Sequence, residues 1–406
     1  MGLEVRAVEP DELDAYIRTT FTAFGEHPTE EDLRVYRVEF APRRSLAAFE
    51  RGDIVGVAGV HGFQLTVPGD VVPTAHVTTV AVLPTHRRRG VMTELMRRQL
   101  DDAHERGEPV SSLGASEGGI YGRFGYGVAT LDCRIDIQRR HSAFAREHVA
   151  AGEVRLVEKG EALELFPPIY ERVRASRPGV MDRPKEWWEA RFYDPEHDRG
   201  GFTALFFAVH HSADGPDGYA AYRLRHDWSQ GRPGHVLAIE ELVAATDAAY
   251  ADVWRYCLDV DLVGRIQGRG RPPDEPLLHM LEEPAHLGLT ARDGLWVRLV
   301  DVPTALASRM YSAPGRVTIE VRDPVCPWND GRYSLDGGPG VASCEPTSDE
   351  PDLVVDAADL GAAYLGGTSL RTLAAAGRVT AVREGAVGIA SAMFAWEPAP
   401  WCPHVF

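Results

Sequence analysis

The segment Val77-Thr78-Thr79-Val80-Ala81-Val82, halted at Pro84 and followed by His86-Arg87-Arg88-Arg89-Gly90, constrains the fold most. The β-branched run reads as a strand and the basic glycine turn as its exit. Apolar residues at Met92, Leu95, Met96, Leu100 and Ala103 then keep the spacing of one helix face. Val110 to Leu113 reads as a second short strand, and strand, helix, strand in that order describe an α/β unit. The turn itself has the chemistry of an anion site. Free N–H groups at a helix start, the positive end of the helix dipole and guanidinium forks lie together, and Gly90 permits close backbone approach. It is no P-loop, because Gly-Lys-Ser/Thr does not follow.

Upstream, Asp11-Glu12-Leu13 opens a helix, Ile54 to Val60 is a strand and Val67-Pro68-Gly69-Asp70 a turn. A second unit repeats the pattern: strands are expected at Phe202–Val209, Gly218–Leu224 and His235–Val243, with a helix at Ala248–Leu258. Its turn reads Ala244-Ala245-Thr246-Asp247-Ala248-Ala249, without arginine or glycine and with an acid that would repel a pyrophosphate. From Trp296 the pattern changes to a strand around Val317–Val321, glycine- and proline-rich turns at 336–340, and short helices at Leu353–Leu365 and Ser369–Ala376. The expected organisation is three parts, at 1–150, 151–292 and 293–406.

Composition narrows the function. The 406 residues carry a net charge of −17, which disfavours a nucleic-acid partner and biases encounter toward cationic ones. Five cysteines without CxxC spacing argue against a disulfide framework or a zinc site and fit a reducing compartment. The acidic first thirty residues carry no secretory core, and no apolar run is long enough to span a membrane, so a cytoplasmic protein is expected. His210-His211 with Asp214 and His104-Glu105 are weak pairs, and no metal is proposed.

The other chemical segment is Gly114-Ala115-Ser116-Glu117-Gly118-Gly119-Ile120-Tyr121-Gly122-Arg123-Phe124-Gly125-Tyr126-Gly127. Gly114-x-Ser116-x-Gly118 matches a hydrolase nucleophile elbow, which requires a helix directly after the serine. Glycines at this density do not sustain one.

With PTHRRRG at 84–90, ASEGGIYGRFGYG at 115–127, DGLWVRL at 293–299 and the final phenylalanine, the chain resembles the enhanced-intracellular-survival family of N-acetyltransferases. The resemblance implies an α/β and α+β architecture: two GNAT acyltransferase folds followed by a sterol-carrier-protein-like domain, with acetyl-CoA bound by the first GNAT domain only. It implies that Val80, Ala81 and Val82 hold the pantetheine arm through their backbones. Arg88, Arg89, Gly90, Val91, Met92 and Thr93 would cradle the pyrophosphate, and Ser116 and Glu117 line the cofactor's other side. Met92 departs from the small residue of the wider superfamily signature. The resemblance makes Tyr121 the general acid, Tyr126 a non-catalytic neighbour and the terminal carboxylate of Phe406 the general base.

It also implies a homohexamer and cationic amine acceptors: aminoglycosides, polyamines or lysine-type amines. Better-known members carry acids where this chain has Ala23 and Val405, although Glu26 lies close by. The rival from another class is a lipid or acyl-CoA carrier using the C-terminal domain.

Overall fold

The computed structural model describes residues 3–39, 44–228 and 231–404. They build three sheets divided between two compact units, 1–130 with 294–397 and 131–293 with 398–405.

The first unit's larger sheet has seven strands. From edge to edge they are Glu4–Ala7, Ser45–Glu50, Asp53–Val67, Asp70–Val82, Val110–Gly114, Leu295–Leu299 and Gly127–Val128. Helix Leu13–Phe24 covers one face over Ala47, Phe49, Val57 and Ala81. Helix Val91–Glu105 buries Val91, Leu95, Met96, Leu100 and Ala103, the stripe its spacing predicts with Val91 added. Gly56 lets that helix close on the sheet: a Cβ there would stand 2.7 Å from Val91 Cγ1. The sixth strand comes from residues far along the chain, pairing Leu295–Leu299 with Val110–Gly114.

The unit's second sheet has five strands, ordered Ser343–Pro346, Gly331–Gly337, Gly315–Arg322, Leu353–Asp356 and Val379–Ala381. Here one expectation is corrected. Leu353–Asp356 is a strand parallel to Gly315–Arg322, and the helix begins only at Ala357. The Leu-Val-Val run fits a buried strand better than a helix, as β-branching predicts.

The second unit's sheet also has seven strands: Thr290–Asp293, Leu131–Gln138, Val263–Arg271, His235–Ala244, Gly215–Arg225, Phe206–Ser212 and Glu153–Val157. The strand expected from Phe202 starts at Phe206. Side chains alternate between two cores: Val209, Tyr219, Ala221 and Val243 in one, Ala208, Ala220, Leu237 and Ile239 in the other. Helix Lys159–Arg174 contributes Phe166 and Tyr170 to the first, and helix Asp247–Asp259 contributes Val253 and Trp254 to the second. All five cysteines are free thiols, and no helix among the described residues is long and apolar enough to cross a membrane.

Candidate active site

The site lies in the first unit, where two parallel strands separate. Asp70–Val82 pairs with Val110–Gly114 only from Thr74 opposite Val110 to Val77 opposite Leu113. Beyond Val77 it continues for five residues with the ladder on the Val110–Gly114 side ended. A bulge marks the parting. Val57 faces Ala81 while Gly59 faces Thr78, so Thr79 and Val80 stand opposite the single residue Ala58. Thr79 takes a left-handed φ of 51°, costly for a β-branched residue, and its Oγ1 is held 2.9 Å from the hydroxyl of buried Tyr16. Strain concentrated in this way marks functional sites, and here it opens a slot with Val80, Ala81 and Val82 along its edge.

The basic turn closes one end of the slot. Gly90, at φ 84°, is the residue before helix Val91–Glu105, and no side chain caps that helix. The first N–H groups of Val91, Met92 and Thr93 are therefore available to an anion, on the positive end of the dipole. Arg88 is exposed with a left-handed φ of 62°. Arg89 is paired with Glu50, which also meets His86 Nε2 at 3.1 Å, and these partners hold the Glu50 carboxyl below its usual range. Arg87 is internal to the turn, with Nη2 donating to Ala23 O at 2.9 Å and Nε to Val82 O at 3.2 Å. Ala23 thus supplies a carbonyl to the turn.

The other wall is the glycine-rich stretch. After strand Val110–Gly114, Ser116 and Glu117 are exposed in a bend, and a short 3-10 helix follows at Tyr121–Phe124. No helix starts at Ser116, so the hydrolase elbow lacks its scaffold. Tyr121 is 8% exposed and belongs to a core cluster against which Val80, Met92 and Ala115 pack. Its hydroxyl has no hydrogen-bond partner among the described residues. Burial, and then the Glu117 charge, raise the phenol above its usual value, so it stays protonated through the neutral range. Tyr126, by contrast, is fully buried and its hydroxyl lies 2.7 Å from Ser111 Oγ. The two rings meet edge to face at 6.3 Å, and only Tyr121 presents a hydroxyl to the slot side.

Three contributors are invisible to motif reading. Tyr16 and Thr79 set the bulge. Arg298 is fully buried; its guanidinium donates to Phe124 O and lies 2.5 Å from Asp323 Oδ2, fixing the Tyr121 turn from behind. The one available signal was an arginine inside the apolar strand Leu-Trp-Val-Arg-Leu. Val405 and Phe406 lie outside the described residues.

In the second unit, the weak histidine pair proves buried. His210 Nδ1 is 2.6 Å from Asp217 and Nε2 is 2.8 Å from Asp252, a structural ion cluster. His141, Glu283 and His286 lie together, but His141 Nδ1 meets Glu283 at 2.7 Å and Nε2 accepts from Arg140 Nε at 3.0 Å. Both ring nitrogens of His141 are therefore engaged.

Comparison with known proteins places this geometry. Residues 4–129 and 179–299 each match a family described as acetyltransferase (GNAT) domain, and 302–403 match a sterol carrier protein domain. An uncharacterised N-acetyltransferase of Streptomyces coelicolor is 41% identical over the whole of both chains. N-acetyltransferase Eis of Mycobacterium tuberculosis is 39% identical over 80% of this chain and 79% of its own. The crystal structure of Eis1 from Mycobacterium abscessus superposes with a TM-score of 0.88 at 35% identity, covering both chains fully. A strained slot, an uncapped helix and a tandem of GNAT folds ahead of a sterol carrier domain converge on one conclusion: the chain belongs to the Eis family of GNAT N-acetyltransferases.

Proposed function

We propose that this chain transfers acetyl from acetyl-CoA to a primary amine of a cationic small molecule: an aminoglycoside, a polyamine or a lysine-type amine. The observation that carries the reading is the opened strand edge at Val80–Val82 beside an uncapped helix start, with the free Tyr121 hydroxyl on the same side. Acetyl-CoA supplies an activated thioester. The backbones of Val80, Ala81 and Val82 align its arm, while Arg88, Arg89, Gly90, Val91, Met92 and Thr93 receive the pyrophosphate, with Arg89 exchanging Glu50 for phosphate. Ser116 and Glu117 line the opposite side.

The carboxylate of Phe406 takes a proton from the acceptor amine, directly or through water, so that nitrogen can bond the acyl carbon. As the carbon–sulfur bond breaks, Tyr121 Oη gives its proton to the departing sulfur. Raised by burial and Glu117, the phenol keeps that proton until it is needed. The working division is 1–150 for acetyl-CoA, 151–292 as a degenerate GNAT domain, and 293–406 as the sterol-carrier-like part that supplies the terminus. The assembly is a cytoplasmic homohexamer, to be checked by light scattering.

The carrier reading is disfavoured by chemistry. A cavity of about 1000 Å³ beside the five-stranded sheet is lined by Glu320, Arg322, Asp323, Arg332, Asp356 and Arg378, walls unsuited to an acyl chain. The test is a panel of amines scored for CoA release with a thiol reagent. Amine-dependent release is expected; co-purified lipid with no amine-dependent release would overturn the reading.

A further inference from the structure

The second unit repeats the strand parting of the first, and the gap is filled. His235–Ala244 pairs in parallel with Val263–Arg271 only from His235 to Ile239. A bulge follows at once, because Ala221 faces Glu241 while Tyr222 faces Ile239, leaving Glu240 extra. Glu241, Leu242 and Val243 therefore occupy the place that Val80, Ala81 and Val82 occupy in the first unit. Here the freed carbonyls are taken: Arg191 Nη2 donates to Glu240 O at 2.8 Å and Arg271 Nη1 to Leu242 O at 2.6 Å. Arg271 is 2% exposed and is paired with Glu275 at 2.8 Å.

Beside this plug sits the chain's own C-terminal segment. Trp401, 5% exposed, donates its indole N–H to Gly270 O at 2.8 Å and its backbone N–H to Pro178 O at 2.9 Å. The Arg271 guanidinium lies over its ring at 5.9 Å, and that of Arg177 at 5.5 Å. Ala399 is held at both ends, its carbonyl by Arg177 Nε at 3.0 Å and its N–H by Asp274 at 3.1 Å. His404 Nδ1 reaches the Tyr170 hydroxyl at 3.3 Å. Six residues of an otherwise irregular tail are thus tied at three points, far more than a chain end requires.

We infer that the second GNAT unit has exchanged its acyl-carrier slot for a socket that seats residues 398–404 and thereby positions the carboxylate of Phe406. The inference rests on the reading of that carboxylate as base. Trp401, Arg177 and Asp274 are positioning residues that touch neither substrate.

The test compares Trp401→Ala and the milder surface variant Asp274→Asn with a chain extended beyond Phe406. In Trp401→Ala, kcat should fall by about 10²-fold, the scale of a misplaced catalytic group, with KM for acetyl-CoA within twofold. Carboxypeptidase should release the terminal residues faster, and added formate should restore part of kcat. Asp274→Asn should shift all three readouts in the same direction by less. If the extended chain is inactive but Trp401→Ala keeps wild-type kcat, the socket is refuted and the terminal base stands. An extended chain with full activity removes the base and the socket's role together. A Trp401→Ala enzyme that is slow, yet has an unchanged terminus by carboxypeptidase and no formate response, also overturns the inference.

Discussion

The two strand–bulge–helix segments of this chain share a backbone plan and differ in what occupies it. In the first, helix Val91–Glu105 begins at a bare glycine, and the strand edge past the bulge is left open. In the second, the side chain of Thr246 accepts from Ala249 N, its hydroxyl donates to Asp217 at 2.9 Å, and Asp247 opens the helix. The gap below is occupied by Arg271 and by the Glu241 cluster, in which Arg183 binds Glu241 at 2.9 and 3.0 Å and Tyr219 binds it at 2.5 Å. An open slot requires a fold to leave hydrogen-bonding groups for a ligand; a closed one lets it use them for its own packing. One unit is kept for chemistry and the other for support.

The comparison breaks most visibly in the closed half. Arg183→Ala leaves Glu241 buried without its main counter-charge and should cost about 3–5 kcal/mol, read by denaturant unfolding. A loss under 1 kcal/mol would mean that the cluster is ornamental. In the open half, Tyr121→Phe should lower kcat by about 10²-fold or more with little change in stability. Tyr219→Phe, its buried counterpart in the cluster, should do the reverse. Gly90→Val, forced to φ 84°, should strain the turn by about 1–3 kcal/mol and weaken acetyl-CoA binding about tenfold by calorimetry. Thr246→Ala should cost about 1 kcal/mol and leave the stoichiometry at one acetyl-CoA per chain; a second site would undo the distinction between the units.

Acidification should separate the halves more gently. Burial, and then the nearby His61 charge, hold His76 well below 6.5, so the unfolded chain takes up the proton first as pH drops below that value. The first unit should begin to lose stability there. Glu241, held to about 2 by Arg183 and Arg191 against the cost of burial, binds its proton later than an unfolded glutamate does. The second unit's loss should therefore run from about 4.5 down to about 2. Hydrogen exchange followed separately at 70–82 and 235–244 against pH gives the order.

What could be read from the sequence was local. The strand, basic turn and stripe at 77–103 announce themselves through β-branching, glycine and spacing, and the missing arginines at 244–249 announce the closed unit. The bulge at Thr79 could not be read, because threonine has no propensity for a left-handed backbone; tertiary packing on Tyr16 imposes it. Arg89 reads as a free phosphate ligand until Glu50 is brought beside it from another strand. Leu353–Asp356 reads as helix until a parallel neighbour gives its β-branched residues a surface to pack on. Arg298 gains its meaning from Phe124 and Asp323, neither adjacent in sequence.

The placement of Leu295–Leu299 has a consequence for biosynthesis. This strand lies between Val110–Gly114 and Gly127–Val128, so the ribosome must translate some 170 further residues before the acetyl-transfer sheet can be completed. Until then the nascent chain carries Val110–Gly114 with one side unzipped, an edge open to wrong partners. A fragment ending near residue 150 would be left in that condition permanently, and should aggregate where the whole polypeptide does not.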